Sequence, residues 1–436
     1  MGGNGLHRKA RRGAQTFDAV VVGGGIVGLS TAYYLSERRG MRVAVLDRGR
    51  LGRGATWAAA GMLAAQCEVE EAGPFLTFAL AGRALYDRLA PALRDETGVD
   101  IGLRRSGALR VAFTEEERER LKRHAAEQRR WALDARWLEA DEVRRLAPAL
   151  APGVLGGVYF PGDGHVDSRR LAAALAAACA RRGVALLEHT EVTGWVVEPR
   201  QAQGPAAHPG GRDAGSAHPP GARRALGGGS GTASEGRVIG VATAAGELHA
   251  GAVVLAGGSW SGLLAAQLGV DLPVKPVRGE VVALRAVDVP LDTIVFAKGT
   301  CYLVPKADGR LLAGATQVDD GFRNVPTLGG LGALARAAET LAPPLAAAEV
   351  EDYWSGLRPG TADGLPVLGP VPGWTGLYVA AGHFRNGILL GPLSGMIVAR
   401  LIQGEPVPFN WRAFGLEGRF GPADAPAAAL AAAADR

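Results

Sequence analysis

The sequence predicts an α/β fold: a mostly parallel sheet flanked by helices, with a second α+β domain built on an antiparallel sheet. Three observations predict it. An apolar run, Phe17–Val22, leads into Gly23-Gly24-Gly25-Ile26-Val27-Gly28 and then a helical stretch. Lys275–Ala286 and Thr300–Ala315 alternate apolar and polar residues as strands do, and are assigned to the separate antiparallel domain. Near the end of the chain a second apolar strand, Leu377–Ala381, enters a tight loop and a helix with no charged residue between Asn386 and Ala399.

Phe17–Val22 is apolar in a way that suits a parallel strand covered on both faces. Gly23, Gly25 and Gly28 form G-x-G-x-x-G, with Ile26 and Val27 inside the motif. Gly23 permits the tight turn, Gly25 lets backbone approach a pyrophosphate, and Gly28 lets helix and strand pack closely. The helix is expected from about Leu29 to Arg39, stopping at Gly40. Arg42–Leu46 is a second strand ending at Asp47, 19 residues after Gly28, with Arg48 beside it. A carboxylate there can accept hydrogen bonds from an adenosine ribose. Strand, helix, second strand and terminal acid together identify a Rossmann-like unit that binds a dinucleotide. They do not separate NAD from FAD.

The next stretch, Gly52–Met62, is too rich in small residues to pack a thick core. It reads as backbone threaded closely past a flat ligand, with Thr56 free to bond a phosphate. A small-residue helix start packed on the sheet would have the same composition.

Further along, Glu115–Leu133 and Ala140–Leu150 read as solvated helices, and Arg104–Phe113 and Gly157–Phe160 as strands. Gly164–Ser168 caps a helix over Arg170–Arg181. Val184–Val192 and Glu247–Ala256 look like later strands of the first sheet, the latter ending in glycines at its ligand edge. Pro199–Arg237 is rich in Gly, Pro, Ala, Ser and His without periodicity and reads as a disordered insert. Residues 1–16 and 419–436 are expected to be flexible tails.

Two segments near the end carry the chemistry. Arg358 lies in Gly356-Leu357-Arg358-Pro359-Gly360-Thr361, read as a Gly/Pro-rich turn that presents a guanidinium to a carboxylate. The loop His383-Phe384-Arg385-Asn386-Gly387 opens the uncharged helix, so free N–H groups at Gly387, Ile388 and Leu389 point at one place. With the helix dipole they favour a ligand that gains negative charge, as a flavin does on reduction.

Composition excludes several classes. The chain has 436 residues, 47% of them hydrophobic, enough for a sizeable core. Its net charge of +5 owes much to His7–Arg12, and no basic stripe with interleaved aromatics indicates nucleic acid. Arg11-Arg12 is followed directly by the dinucleotide strand rather than an apolar export segment. The longest uncharged run, Leu365–Phe384, contains Pro366, Pro370 and Pro372, so it is not read as a membrane span. Cys67, Cys179 and Cys301 have neither metal nor disulfide spacing, which fits a reducing cytoplasm. His208 and His218 lack a second ligand pair, so no metal is expected.

GLRPGT followed by AGHFRNGILL resembles the closing segment of the glycine oxidases of the thiamine pathway, in the D-amino acid oxidase family of FAD enzymes. Ala55–Leu63 resembles the T-S-A-A-A-G-M-L stretch of the same enzymes, with Trp57 in place of the serine. The resemblance spans roughly Phe17 to Phe414 apart from the insert. It implies a discontinuous FAD-binding domain of the glutathione-reductase type, formed by residues 17–90, 151–270 and 355–415. Residues 91–150 and 271–354 would form the substrate domain. It implies non-covalent FAD, because no cysteine lies in Leu357–Thr361, where monomeric sarcosine oxidases attach flavin. FAD contacts would come from the G-x-G-x-x-G motif, Asp47, Arg48, Ala55, Thr56, Ala60, Gly61, Met62, Val192 and His383 through Leu389. Arg358, Tyr302 and Arg385 would serve a small amino acid substrate oxidised by O₂, although Tyr302 read alone could be a cross-strand core aromatic. The imine product would pass to thiazole synthase, and the enzyme would be a cytoplasmic homotetramer. Thr300, Gln317, Ala64 and Cys67 depart from the family pattern and are expected to face the pocket. Oxidation of sarcosine or a small D-amino acid, a quinone-linked dehydrogenase, and an inactive flavin-binding subunit are the competing readings.

Overall fold

A computed structural model describes residues 15–199, 235–286, 288–297 and 301–420. Two sheets dominate them. The first has nine strands, and its main path runs Val367–Pro370, Leu377–Ala381, Gly246–Leu255, Gln15–Val22, Val43–Leu46, Ala185–Leu187. Gln15–Val22 pairs in parallel with both its neighbours, Gly246–Leu255 and Val43–Leu46. Ala19 and Val21 point into one hydrophobic core and Val20 and Val22 into another. That two-sided burial explains why this strand is an apolar run rather than an alternating one.

One of those cores lies under four helices: Ile26–Leu35 (the first helix), Pro74–Thr97, Ser168–Arg181 and Gly387–Gln403 (the closing helix). The closing helix crosses the first at glycine distance. A Cβ on Gly395 would come within 2.5 Å of the Thr31 backbone nitrogen, and one on Gly391 within 3.2 Å of the Ile26 side chain. Pro74–Thr97 packs on the other side, where a Cβ on Gly82 would meet the Leu389 carbonyl at 2.7 Å.

The second sheet has eight strands, in the order Glu349–Gly360, Lys275–Arg285, Arg310–Gly314, Tyr302–Pro305, Ile294–Ala297, Ala108–Ala112, Gly156–Phe160, Arg136–Glu139. It is antiparallel except where Ile294–Ala297 runs parallel to Ala108–Ala112.

Several expectations are corrected here. Arg358 is not in a turn: Glu349–Gly360 is one continuous strand in which Arg358 stands opposite Val277. The glycines that imitate a turn are there for close approach, since a Cβ on Gly356 would strike Ala58 at 2.5 Å. Gly156–Phe160 pairs within the second sheet, not the first, and the strand Glu349–Gly360 crosses the expected boundary at 354/355. The boundary at 90/91 falls inside the helix Pro74–Thr97. Val184–Val192 is not one strand. Ala185–Leu187 closes the parallel path, and Val192 opens Val192–Pro199, which pairs antiparallel with Gly236–Thr243.

The first helix begins at Ile26, because Gly25 is its extended N-cap, and ends at Leu35. Gln15 and Thr16 are paired with Leu248 and His249, so they belong to the sheet and not to a tail. Arg419 is likewise held, 2.6 Å from the Asp363 carboxylate. Most of the insert, residues 200–234, lies outside the described residues, as do His208, His218 and the remainder of both tails.

The helix crossing yields a paired prediction. Gly395→Ala should destabilise the protein by about 1–3 kcal/mol, because the new methyl meets backbone that cannot step aside. Gly329→Ala, in the helix Leu328–Leu341, meets nothing within 4 Å. It should be neutral or stabilising by up to about 1 kcal/mol. Urea unfolding of the two variants checks the contrast.

Candidate active site

A cavity of about 760 Å³ lies where the C-terminal ends of the parallel strands meet a face of the second sheet. Val22, Leu46 and Ala256 reach it from the first sheet, and Gly279, Val281, Tyr302 and Arg358 from the second. In an open α/β sheet this is the edge where ligands bind.

The nucleotide-type residues fall into two groups. Gly23, Gly25, Ile26 and Val27 line the cavity, whereas Gly28 does not. Gly23 has φ +108°, and a Cβ there would lie 2.3 Å from the Ala256 carbonyl. Gly28 works behind the wall, since its Cβ would lie 1.9 Å from the Gly23 carbonyl. The Asp47 carboxylate accepts the N–H of Gly24 on one oxygen and that of Gly49 on the other, each at 2.8 Å. Both oxygens keep lone pairs for a ligand hydroxyl. The Arg48 guanidinium carbon lies over the Trp260 ring, 3.7 Å from its centre, and Trp260 packs at a tilt on Phe322. Val192 lines the same end beside Thr190 and Glu191.

Ala55, Thr56, Ala60, Gly61 and Met62 all line the cavity. Thr56 is not free, however: its Oγ1 accepts the Ile26 N–H at 2.9 Å. Its hydroxyl proton is left to be donated, from an oxygen fixed to the first helix. The backbone at Ala60 is held by Lys306, whose Nζ donates to the carbonyls of Ala60 (2.5 Å) and Val166 (3.1 Å). Burial lowers the Lys306 pKa to about 8.

The closing loop supplies His383, Phe384, Arg385, Gly387 and Ile388 to the lining. Asn386 and Leu389 are not part of it. Asn386 is the N-cap of the closing helix, and Leu389 is buried beneath it. His383 is buried, 2.8 Å from the Ser394 hydroxyl through Nε2, and burial lowers its pKa to about 3. Its imidazole is therefore neutral, and it braces the loop rather than exchanging protons. The Tyr86 hydroxyl donates to the Ile388 carbonyl at 2.5 Å and fixes the start of the helix from outside.

Arg358, Tyr302 and Arg385 come together at the other end. Arg358 on its strand leans across Gly279 of the neighbouring strand, where a Cβ would lie 2.0 Å from Nη1. Tyr302 lies across Gly314, its register partner, in the same way, and a Cβ there would lie 2.6 Å from the hydroxyl. Two strand glycines thus make room for the two functional side chains. Arg358 donates through Nη1 to the Thr316 carbonyl at 3.1 Å, which orients the fork. Burial raises the Tyr302 pKa, with Arg358 and Arg385 opposing the shift, so the phenol keeps its proton. Arg385 is paired with Glu68, both contacts being 3.3 Å.

Three of the four departures noted in the sequence stand outside the lining. Ala64 and Cys67 are buried and do not line the cavity, nor does Gln317, which is exposed, and Thr300 lies outside the described residues. Trp260, Gly279 and Lys306 were not anticipated. The strand ending Ala256-Gly257-Gly258 pointed to the neighbourhood of Trp260, but the roles of Gly279 and Lys306 depend on strand register.

The glycine cradle, the Asp47 lone pairs and two helix N-termini on one cavity fit FAD. Comparison with known proteins agrees. The DAO model, described as FAD dependent oxidoreductase, matches residues 18–217 and 229–401. A glycine oxidase of Geobacillus kaustophilus is 41% identical over 406 residues, covering 93% of this chain and 98% of that protein. The crystal structure of glycine oxidase from Geobacillus kaustophilus superposes with a TM-score of 0.82 at 40% identity, covering 94% of this chain and 100% of that one. A bifunctional ThiO/ThiG protein of Synechocystis sp. is 34% identical over 400 residues, which is 90% of this chain and 52% of that protein.

Cys67, Cys179 and Cys301 are all buried and none lines the cavity. Acid precipitation of the purified yellow protein should therefore release its flavin into the supernatant. Colour retained in the pellet would contradict non-covalent binding.

Proposed function

The chain belongs to the DAO family of FAD dependent oxidoreductases, and on that premise we propose that it is a glycine oxidase. It converts glycine to iminoglycine, which water hydrolyses to glyoxylate and ammonia, while O₂ is reduced to H₂O₂. The observation that carries this reading is the meeting of Arg358, Tyr302 and Arg385 at one end of a cavity whose other end is built for a dinucleotide. The first sheet is assigned to the cofactor and the second to the substrate.

FAD, when bound, supplies an acceptor for the hydride that leaves the substrate Cα, and O₂ takes the electrons from it. The chain's own groups bind and orient. The Arg358 guanidinium holds the substrate carboxylate as a planar fork, with its remaining N–H groups free of the Thr316 contact. Tyr302 donates its phenol proton to the same carboxylate. Arg385 stands beside it, paired with Glu68. The N–H groups of Gly387 and Ile388, reinforced by the helix dipole, stabilise negative charge that develops at the flavin end. No acid–base residue is required, because the substrate amine enters neutral and the departing hydride carries both electrons. Binding the carboxylate fixes the Cα at hydride-transfer distance, which is where most of the rate advantage lies.

The alternatives left open by the sequence, oxidation of sarcosine or small D-amino acids and quinone-linked dehydrogenation, gain no support from the relatives described above. The bifunctional ThiO/ThiG protein supports transfer of the imine to a thiazole synthase. By resemblance alone the reading extends to a cytoplasmic homotetramer. No described helix is long and apolar enough to cross a membrane.

Arg358→Ala should weaken glycine binding by about 2–5 kcal/mol while leaving flavin content unchanged. Arg358→Lys should recover little, since a point charge does not replace a fork. The apparent affinity for glycine and the flavin-to-protein ratio check this together. An unchanged affinity in Arg358→Ala would refute the assignment.

A further inference from the structure

Two guanidinium groups, Arg358 and Arg385, stand at the end of the cavity that on the reading above receives one carboxylate, apart from Arg48, Arg50 and Arg53 in the same lining. A monoanion cannot neutralise both. Glu68 supplies the missing charge. Its two carboxylate oxygens face Nε and Nη2 of Arg385, each at 3.3 Å. Glu68 does not line the cavity and only 11% of its side chain is exposed, so it acts from behind Arg385.

The segment that carries Glu68 is held rigidly. The fully buried Asp163 carboxylate accepts the N–H groups of Gln66 (3.2 Å) and Cys67 (2.9 Å) and is paired with Arg83 at 2.6 Å. Gln128 donates to the Gln66 carbonyl at 2.8 Å. Glu70, two residues on, is engaged elsewhere, by Arg110 at 2.5 Å and by Arg120 at 3.4 Å.

We propose that Glu68 sets the charge selectivity of the substrate cavity: by cancelling the charge of Arg385, it leaves a net charge of +1 that matches an amino acid with one carboxylate and disfavours dianionic ones. This rests on the assignment of Arg358 and Arg385 to the substrate carboxylate. Glu68 is a positioning residue, and its effect is electrostatic. In a partly dry cavity an added unit charge acts on both carboxylates of a dianion and only one of a monoanion. Selectivity is the difference between the two affinities, so it moves even when both affinities rise.

The test uses the FAD-loaded protein and two unreactive ligands, read by the change each causes in the flavin's visible absorption. Glycolate, the hydroxyl analogue of glycine, carries one charge, and malonate carries two. In Glu68→Gln the affinity for malonate relative to glycolate should rise by at least about tenfold. Glu68→Asp, which keeps the charge and alters the reach, should retain the original preference. An unchanged ratio in Glu68→Gln, or equal shifts in both variants, would overturn the proposal. Should Glu68→Gln fail to fold, Arg385→Met tests the same claim from the other side. It leaves the Glu68 charge unopposed, so malonate should lose at least about tenfold more affinity than glycolate. An equal loss of both would overturn the proposal. Glycolate binding that survives Arg358→Ala would instead refute the underlying site assignment, whatever Glu68 does.

Discussion

The close crossing of the first and closing helices is the constraint on which the site depends. Gly395 lets the closing helix lie directly against the backbone of Ser30 and Thr31, and Gly391 leaves room for the Ile26 side chain. At that separation both helices begin at the same cavity, one at Gly25 and Ile26, the other at Gly387 and Ile388. Helix N-termini carry unpaired N–H groups and partial positive charge, so two of them in one cavity make a site for an extended anionic ligand. Gly82 continues the same device on the far side, bringing Pro74–Thr97 close enough for the Tyr86 hydroxyl to reach the Ile388 carbonyl.

The second sheet solves a different problem. It brings a large cation and a phenol into the cavity without filling the space between them. Glycines on adjacent strands provide the room: Gly279 beneath Arg358 and Gly314 beneath Tyr302. A buried network behind the strands keeps the arrangement fixed. Glu280 takes hydrogen bonds from Arg278, Thr327 and Tyr353, and Arg278 also binds Asp320, which holds the segment after Thr316 against the sheet. Burying charge in this way is tolerable because each charged group has a partner. The site itself has little acid–base equipment, which suits a reaction whose chemistry belongs to the cofactor.

Much of this was legible in the sequence, and the limits have physical causes. The dinucleotide unit was readable because its constraints are local: a tight turn, a close helix and an acid at the end of the next strand. The closing loop and helix were readable for the same reason. The strand Glu349–Gly360 was not, since Gly and Pro mark turns locally, whereas here Gly356 answers to Ala58 and Gly360 to Val277 of the neighbouring strand. The bond from the Ile26 N–H to Thr56 was not legible either, because the two residues lie 30 apart in the chain. The helix Pro74–Thr97 did carry a signal, in the spacing of Leu85, Leu89 and Leu93, which Gly82 and Pro91 obscured. Ala64 and Cys67 resembled pocket residues by their position after Met62, but the chain turns them inward, where Asp163 anchors it.

The central claim is that this cavity oxidises a small amino acid held by its carboxylate. The most direct measurement is anaerobic mixing of the FAD-loaded protein with glycine, followed by readmission of O₂. Glycine should bleach the flavin's visible absorption. On readmission of O₂ the colour should return, with one H₂O₂ formed for each glyoxylate. Ethylamine, which lacks the carboxylate, should bleach the flavin far more slowly. Failure of glycine to bleach the flavin, or equal bleaching by ethylamine, would contradict the claim.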